Sequence, residues 1–492
     1  MWNQLPTEVF PNQFDLGSFK KRAYQFLKAG ACEPSGSASV HGRRYHLTSG
    51  VPPALIKVFQ FYSLSVSLPL ITHGIEANNL TITSHSGHFL SKFNNVPLST
   101  TMLILSAGIS APLLSLIIDR LGRKFGVYLI IMLQGICCIP LLLPPNRIAY
   151  IITHFLAGVS SAGLFTVIPI YIREIAPTSS RASLVSLIII MTPLGYLTRL
   201  VMDDESMMYL MAAMVMLEFV TVFLMIESPS YLVKVGKYDR AKTNIAKLKC
   251  LKETDNYVIM ELKRLKDESD RTKPWKYVDL FKNKIWRDAS KIGLVLFTIT
   301  ILSGSSMFLD QAKALAQLKT SIDPEHMLVP LGLLAGGASS VVLVRFIDRK
   351  YLLTLSYSVI ALSMGVLAVD TLPDLTVKTL RWLPVVSLSV VVFAYGMAWG
   401  LPTVIMVEIL NLEIRSAVLA LVYAYSQIIR MAHVHTLKYF EDLMGIHTLF
   451  YVFAGVNLVG AVYSIMALPQ IKDKSVKQIE KQLKRVPVID RI

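Results

Sequence analysis

The sequence predicts an all-α membrane protein: twelve transmembrane helices in two six-helix repeats, joined by a cytoplasmic helical linker. Three observations predict it. Of 492 residues, 53% are hydrophobic and only 17% charged, too little charge to cover a soluble surface of this size. Apolar stretches of membrane-crossing length recur along the chain, and about 20 residues of helix cross a bilayer core. The basic residues behind the formal net charge of +16 fall in the gaps between those stretches, where orientation in a membrane requires them. Aromatic-basic interleaving on one face is absent, which argues against nucleic acid as a partner. The partner implied by composition is the lipid bilayer.

The apolar runs lie near 54–74, 97–118, 125–145, 148–171, 182–200 and 207–226, then near 291–310, 327–347, 352–371, 382–405, 415–437 and 447–468. The first holds Lys57 and Gln60, and the seventh is rich in Ser and Thr. The chain therefore divides into an N-terminal tail (1–51), a six-helix half (52–226), a linker (227–290), a second six-helix half (291–469) and a tail (470–492). Residues 227–291 carry seventeen Lys plus Arg against ten Asp plus Glu. The short connections with Arg120, Arg123 and Lys124, and with Arg345, Arg349 and Lys350, fall on the same side. The positive-inside rule makes that side, and both termini, cytoplasmic. Asn79-Leu80-Thr81 then lies in the first external loop as a glycosylation sequon.

The linker is expected to hold short amphipathic helices. Tyr231, Leu232, Val235, Tyr238, Ile245, Leu248 and Leu251 recur at helical spacing between acids and bases. The polar start predicts no cleavable signal peptide. Cys32, Cys137, Cys138 and Cys250 form no metal or redox spacing, so no metal and no cofactor are expected. No nucleophile–base pair or phosphate-cradling loop suggests an enzyme.

The second run ends at Asp119-Arg120-Leu-Gly122-Arg123-Lys124, a tight helix connection in which Gly122 permits the turn and Asp119 and Arg123 can pair. The fourth leaves through Pro169-Ile-Tyr171-Ile-Arg173-Glu174, followed by Arg181, and the sixth ends at Glu227-Ser228-Pro229-Ser230. Asp348-Arg349-Lys350 repeats the first turn, Glu408 with Arg415 repeats Glu174 with Arg181, and Pro469-Gln-Ile-Lys472 closes the second half. Parallel repeats around a central site leave such a pattern. Over residues 52–475 this ordered set resembles the sugar porter family of the major facilitator superfamily, most like its insect facilitated trehalose transporter-like branch. The resemblance implies a gate of ion pairs between helices, carried here by Asp119, Arg123, Glu174, Arg181, Glu227, Glu408 and Arg415. Lys124 and Arg173 read as solvated neighbours.

The family's sugar-binding side chains are largely missing. Ile189 stands at the fifth-helix glutamine, and Thr300 to Ser306 replace the amide-rich seventh-helix stretch. Thr403 stands at the tenth-helix tryptophan, with Trp399 one turn earlier. Candidate substrate contacts are Gln427, Thr300, Ser306, Trp399, Thr403 and Tyr425. Gln427 leads, because a long amide is costly against lipid. The hydroxyls have an alternative role bonding their own helices, and Trp399 an alternative role in packing. Arg430 either binds an anion or snorkels to the outer headgroups. His154 replaces a fourth-helix arginine of the family, and the run 54–74 holds no carboxylate. Both points favour passive transport over proton symport of the family's design.

These readings converge on a membrane transporter moving a small solute by alternating access, a hexose or trehalose-like sugar, through the plasma membrane. Two alternatives stand beside it: a carrier of a non-sugar solute such as an organic anion, and a non-transporting sensor on the same scaffold. The sensor is suggested by the shortened second-half turn, in which Lys350-Tyr351-Leu352 follow Asp348-Arg349 without the family's glycine and arginine.

Overall fold

The computed structural model describes residues 53–85, 92–93, 96–142, 147–177, 180–269, 280, 282–304, 324–371, 382–472, 474 and 476–485. The N-terminal tail, Cys32 and Ser306 lie outside the described residues.

The first half contains α1 (Pro53–His85), α2 (Leu98–Leu121), α3 (Arg123–Leu142) and α4 (Arg147–Ile175). A broken fifth span follows, α5 (Arg181–Val185) and α6 (Leu187–Tyr196), and then α7 (Asp204–Phe223). A two-residue antiparallel ladder, β1 (Lys92–Phe93) with β2 (Val96–Pro97), precedes α2. The linker holds α8 (Pro229–Lys234), α9 (Tyr238–Lys249) and α10 (Asn256–Ser269). The second half contains α11 (Lys284–Ile301), α12 (Pro324–Leu343) and α13 (Arg349–Asp370). Its tenth span is broken into α14 (Leu383–Ala398) and α15 (Leu401–Ile409), followed by α16 (Arg415–Met444) and α17 (Ile446–Ala467). A short α18 (Val476–Arg485) ends the described chain.

Packing repeats between the halves. In the first, α2 lies against α4, α3 against α4 and α7, and α1 against α6; in the second, α12 lies against α14, α13 against α14 and α17, and α11 against α16. Two seams join the halves, α2 with α16 and α6 with α12. Outward-facing apolar side chains such as Ile109, Leu113, Phe223, Leu362 and Val459 are more than half exposed, an arrangement that lipid accommodates and water does not.

Among the described residues, eight helical segments are long and apolar enough to cross a bilayer by themselves. The spans built on α1 and α11, the first and seventh runs, are not among them. Both pack against neighbours: α1 lies against α6, α7 and α4, and α11 against α16, α15 and α17.

Two boundaries differ from the sequence reading. The first span continues past residue 74 to His85, 33 residues in all, or roughly 50 Å against a hydrocarbon core of about 30 Å. Asn79 therefore stands on the end of α1 rather than in a loop. In the linker, Tyr231, Leu232, Ile245 and Leu248 are buried as expected, but Val235, Tyr238 and Leu251 are exposed. Left-handed residues at Gly236 and Cys250 restart the helix each time, so one continuous periodicity does not hold across them.

Candidate functional site

Two polar constellations lie between the halves. The first sits at the end of the bundle that carries the linker. Gly122 turns the chain from α2 into α3 with a φ of +108°, and a Cβ there would lie 2.3 Å from Glu227 Oε2. Both facts demand glycine. The turn brings Arg123, almost fully buried, against Glu174 at the end of α4: Nε lies 3.1 Å from Oε2 and Nη2 3.2 Å from Oε1. Arg123 Nη1 is 3.2 Å from Asp119 Oδ1, and its guanidinium lies over the Tyr231 ring.

Four contacts then cross from one half to the other. Ser416 Oγ donates to Asp119 Oδ2 at 2.6 Å, and Arg415 Nη1 stands 3.7 Å from Glu174 Oε1. Arg173 Nε donates to the Val407 carbonyl at 3.0 Å, and Arg345 Nε to Ser183 Oγ at 3.0 Å. The linker end is closed by reversible polar bonds between halves.

The expected pairs are redistributed. Glu408 pairs with Arg349, at 3.0 Å, and not with Arg415. Arg415 donates to the Leu410 carbonyl and extends across the seam to Glu174. Arg181 repeats the first part of that arrangement, donating to the carbonyl of Ala176 five residues back. Among the described residues no carboxylate reaches Arg181, so it closes its own turn rather than joining the ion pairs. Glu227 caps α3 instead of pairing across helices, accepting from the backbone amides of Arg123, Lys124 and Ser228 at 3.0, 3.2 and 2.8 Å. Burial pushes its carboxyl above the usual range, while those amides pull it back.

Neither presumed neighbour is solvated idly. Arg173 bridges the halves, and Lys124 Nζ donates to the Phe223 carbonyl at the end of α7. The second half answers with its partners exchanged. Asp348 accepts from the amides of Ile471 and Lys472, and Lys472 Nζ donates to the Phe346 carbonyl. The shortened second turn thus keeps a carboxylate cap and an arginine–glutamate pair.

The second constellation is an aromatic group at the seam. Phe165 of α4 stands at its centre, with ring centroids 5.8 Å from His73, 6.0 Å from Trp399 and 6.1 Å from Tyr423. Tyr423 on α16 meets Ser161 on α4 at 3.1 Å across the halves. Gln427 follows one turn later on the same face, its Cβ 3.3 Å from a Cβ built on Gly108 of α2. Gln427 is 5% exposed, yet its amide has no hydrogen bond among the described residues. Trp399 Nε1 is likewise buried without a partner there. Thr403 is buried on α15.

Other candidates turn elsewhere. The Thr300 hydroxyl bonds the Leu296 carbonyl and Tyr357 of α13, and Tyr425 bonds Thr298 of α11. Ile189 is fully buried, and a Cβ on Gly400 would stand 2.4 Å from its Cγ1. Arg430 is exposed on α16.

The longer α1 adds a residue that the run 54–74 leaves out. Glu76 is fully buried; His73 Nδ1 lies 3.3 Å from its Oε2, and its Oε1 has no partner among the described residues. A first-span carboxylate therefore exists, contrary to the expectation. Glu218 of α7, also fully buried, accepts from Thr72 of α1. Of the residues not anticipated, Arg349 was signalled by the repeated Asp-Arg turn, and Glu76 by the helix continuing past Gly74. Nothing local marks Ser416, Phe165 or His73.

Residues 70–483 match the family model described as sugar (and other) transporter. The glucose transporter GlcP of Staphylococcus epidermidis is 25% identical over 81% of this chain and 92% of its own length. A facilitated trehalose transporter Tret1-2 homolog of Drosophila simulans is 26% identical over 68% of this chain and 71% of its own. The proton:xylose symporter XylE bound to 6-bromo-6-deoxy-D-glucose superposes with a TM-score of 0.72 at 18% identity, covering 87% of this chain and 99% of that one. With more than half of its length inside the family model and its helices in the major facilitator fold, the chain belongs to the sugar (and other) transporter family, an integral membrane transporter and not an enzyme.

Proposed function

We propose that the protein moves a hexose or trehalose-like sugar across the plasma membrane by alternating access, with the linker end and both termini cytoplasmic. The observation that carries this reading is the polar closure of the linker end. Glu174–Arg415, Asp119–Ser416, Arg173–Val407 and Arg345–Ser183 join the halves with bonds that can break and re-form as one half rocks against the other. The aromatic group supplies the other need. Ring faces suit the C–H faces of a sugar, while the Trp399 indole N–H and the Gln427 amide suit its hydroxyls. The names of the relatives, glucose and trehalose transporters, support a sugar over an organic anion. The second-half cap and pair weigh against a non-transporting sensor.

Flux is passive in the first reading, because His154 replaces the fourth-helix arginine and its Nδ1 lies 2.8 Å from the Tyr150 carbonyl. A second reading, proton-linked flux, is favoured by Glu76 beside His73.

Proteoliposomes containing the full chain test both readings. Labelled glucose and trehalose should enter saturably, and Gln427→Ala should raise KM about tenfold, the loss of about 1.4 kcal/mol of binding. Uptake of organic anions alone sinks the sugar. Accumulation driven by an inward proton gradient and lost in Glu76→Gln selects the second reading; equilibration without accumulation selects the first.

A further inference from the structure

A cavity of about 420 Å³ opens where the linker meets the membrane helices, lined by Leu121, Glu227, Tyr231 and a face of α9. From α9 and its N-cap it receives Lys237, Arg240, Thr243, Asn244 and Lys247. Its volume lies in the range of small-ligand sites, about 300–1,000 Å³.

The neutral polar groups there are already engaged. Asn244 Nδ2 donates to the Glu227 carbonyl at 2.9 Å, and Thr243 Oγ1 lies 2.8 Å from Glu253 Oε1. Glu227, the one acid in the lining, turns its carboxylate to three backbone amides. The side chains of Lys237, Arg240 and Lys247 have no hydrogen bond, ion pair or ring contact among the described residues. Three cations, none in an ion pair among the described residues, thus share one concave space with a single acid. Lys237 also stands at the N-cap of α9 without a side-chain cap bond, where the helix dipole disfavours a cation and favours an anion.

We propose that this cavity binds a phosphate-bearing anion, held by Lys237, Arg240 and Lys247. Phosphate oxygens match the ammonium and guanidinium donors, and the walls beside them belong to the closed end. Tyr231 donates from its hydroxyl to the Arg120 carbonyl and carries Arg123 over its ring, while Glu227 caps α3. A bound anion therefore sits between α9 and the helix connection that closes the linker end. The phosphate belongs either to a lipid headgroup at the membrane surface or to a soluble phosphate compound.

The test uses full-length protein in nanodiscs of phosphatidylcholine. Binding is measured with a fluorescent inositol polyphosphate and with ATP in solution, and separately with discs containing phosphatidylinositol bisphosphate, read as a shift in thermal unfolding. Saturable binding of a soluble probe, or a saturable shift with the lipid, supports the site, and the responding arm identifies the source. Lys237→Gln with Arg240→Gln and Lys247→Gln should weaken that response at least tenfold. Lys252, Lys263 and Lys282, exposed and outside the cavity, serve as the control: changing all three to Gln removes equal charge and should alter the response less than twofold. Lys247→Gln alone gives an intermediate loss if the triple variant folds poorly. No saturable response in either arm, or equal loss in the control, overturns the proposal.

Discussion

Glu174 links both halves at the closed end. It receives Arg123 from its own half, lies beside Arg415 of the other, and accepts from the Ser228 hydroxyl. Removing its charge leaves two buried guanidiniums short of a partner, and breaking a buried pair in this way costs about 3–5 kcal/mol. Glu174→Gln, which keeps the shape, should lower the thermal unfolding midpoint of the detergent-purified protein clearly, and Arg181→Ala much less. Equal losses would contradict the distinction drawn between them. Arg181 also shows what spacing leaves open at this scale. Arg181 and Arg415 each stand seven positions after Glu174 and Glu408, so each acid and base reads as a pair. The fold instead turns each arginine back on the carbonyl five residues before it and lets only Arg415 reach across. Sequence named several of the charged residues at this end but passed over Arg173 and Arg345; which partners they take depends on which helices face each other.

At the scale of elements, the two broken spans meet. The fifth is interrupted at Ser186, and the tenth at Trp399-Gly400. Ile189 of α6 sits against Gly337 of α12 and Gly400 before α15, leaving no room for a methyl group at Gly400. Gly400→Ala should cost about 1–3 kcal/mol by overpacking, seen as a lower unfolding midpoint. In an Ile189→Ala background, itself costly by the cavity it leaves, Gly400→Ala should add little further loss, and an equal further loss in both backgrounds would refute the contact. The helices themselves were legible, because runs of about 20 apolar residues have few other uses. Their ends were less so. Polar residues after Gly74 read as a loop, yet α1 continues to His85 and brings Glu76 into the bundle. Among the substrate candidates, Gln427 and Trp399 lie at or beside the seam. Thr300 and Tyr425 point into their own half, a difference of one helical face that composition does not fix.

For the whole molecule, two repeats pack by the same rules and meet along two seams, α2 with α16 and α6 with α12. The cap between the third and sixth spans is kept in both halves with donor and acceptor exchanged: Glu227 caps α3, whereas Asp348 of the α13 turn receives the chain after α17. On the proposed alternating access the two halves move as bodies, and the closed end must open for a solute to leave by that side. Asp119 and Ser416 lie 2.6 Å apart across the halves at that end. The most direct measurement places Asp119→Cys and Ser416→Cys in a chain whose native cysteines are replaced by serine, and follows labelled sugar uptake into proteoliposomes before and after oxidation. Oxidation should join the halves and abolish uptake, and a reductant should restore it. Undiminished uptake through the cross-linked protein would contradict alternating access by opening of this end.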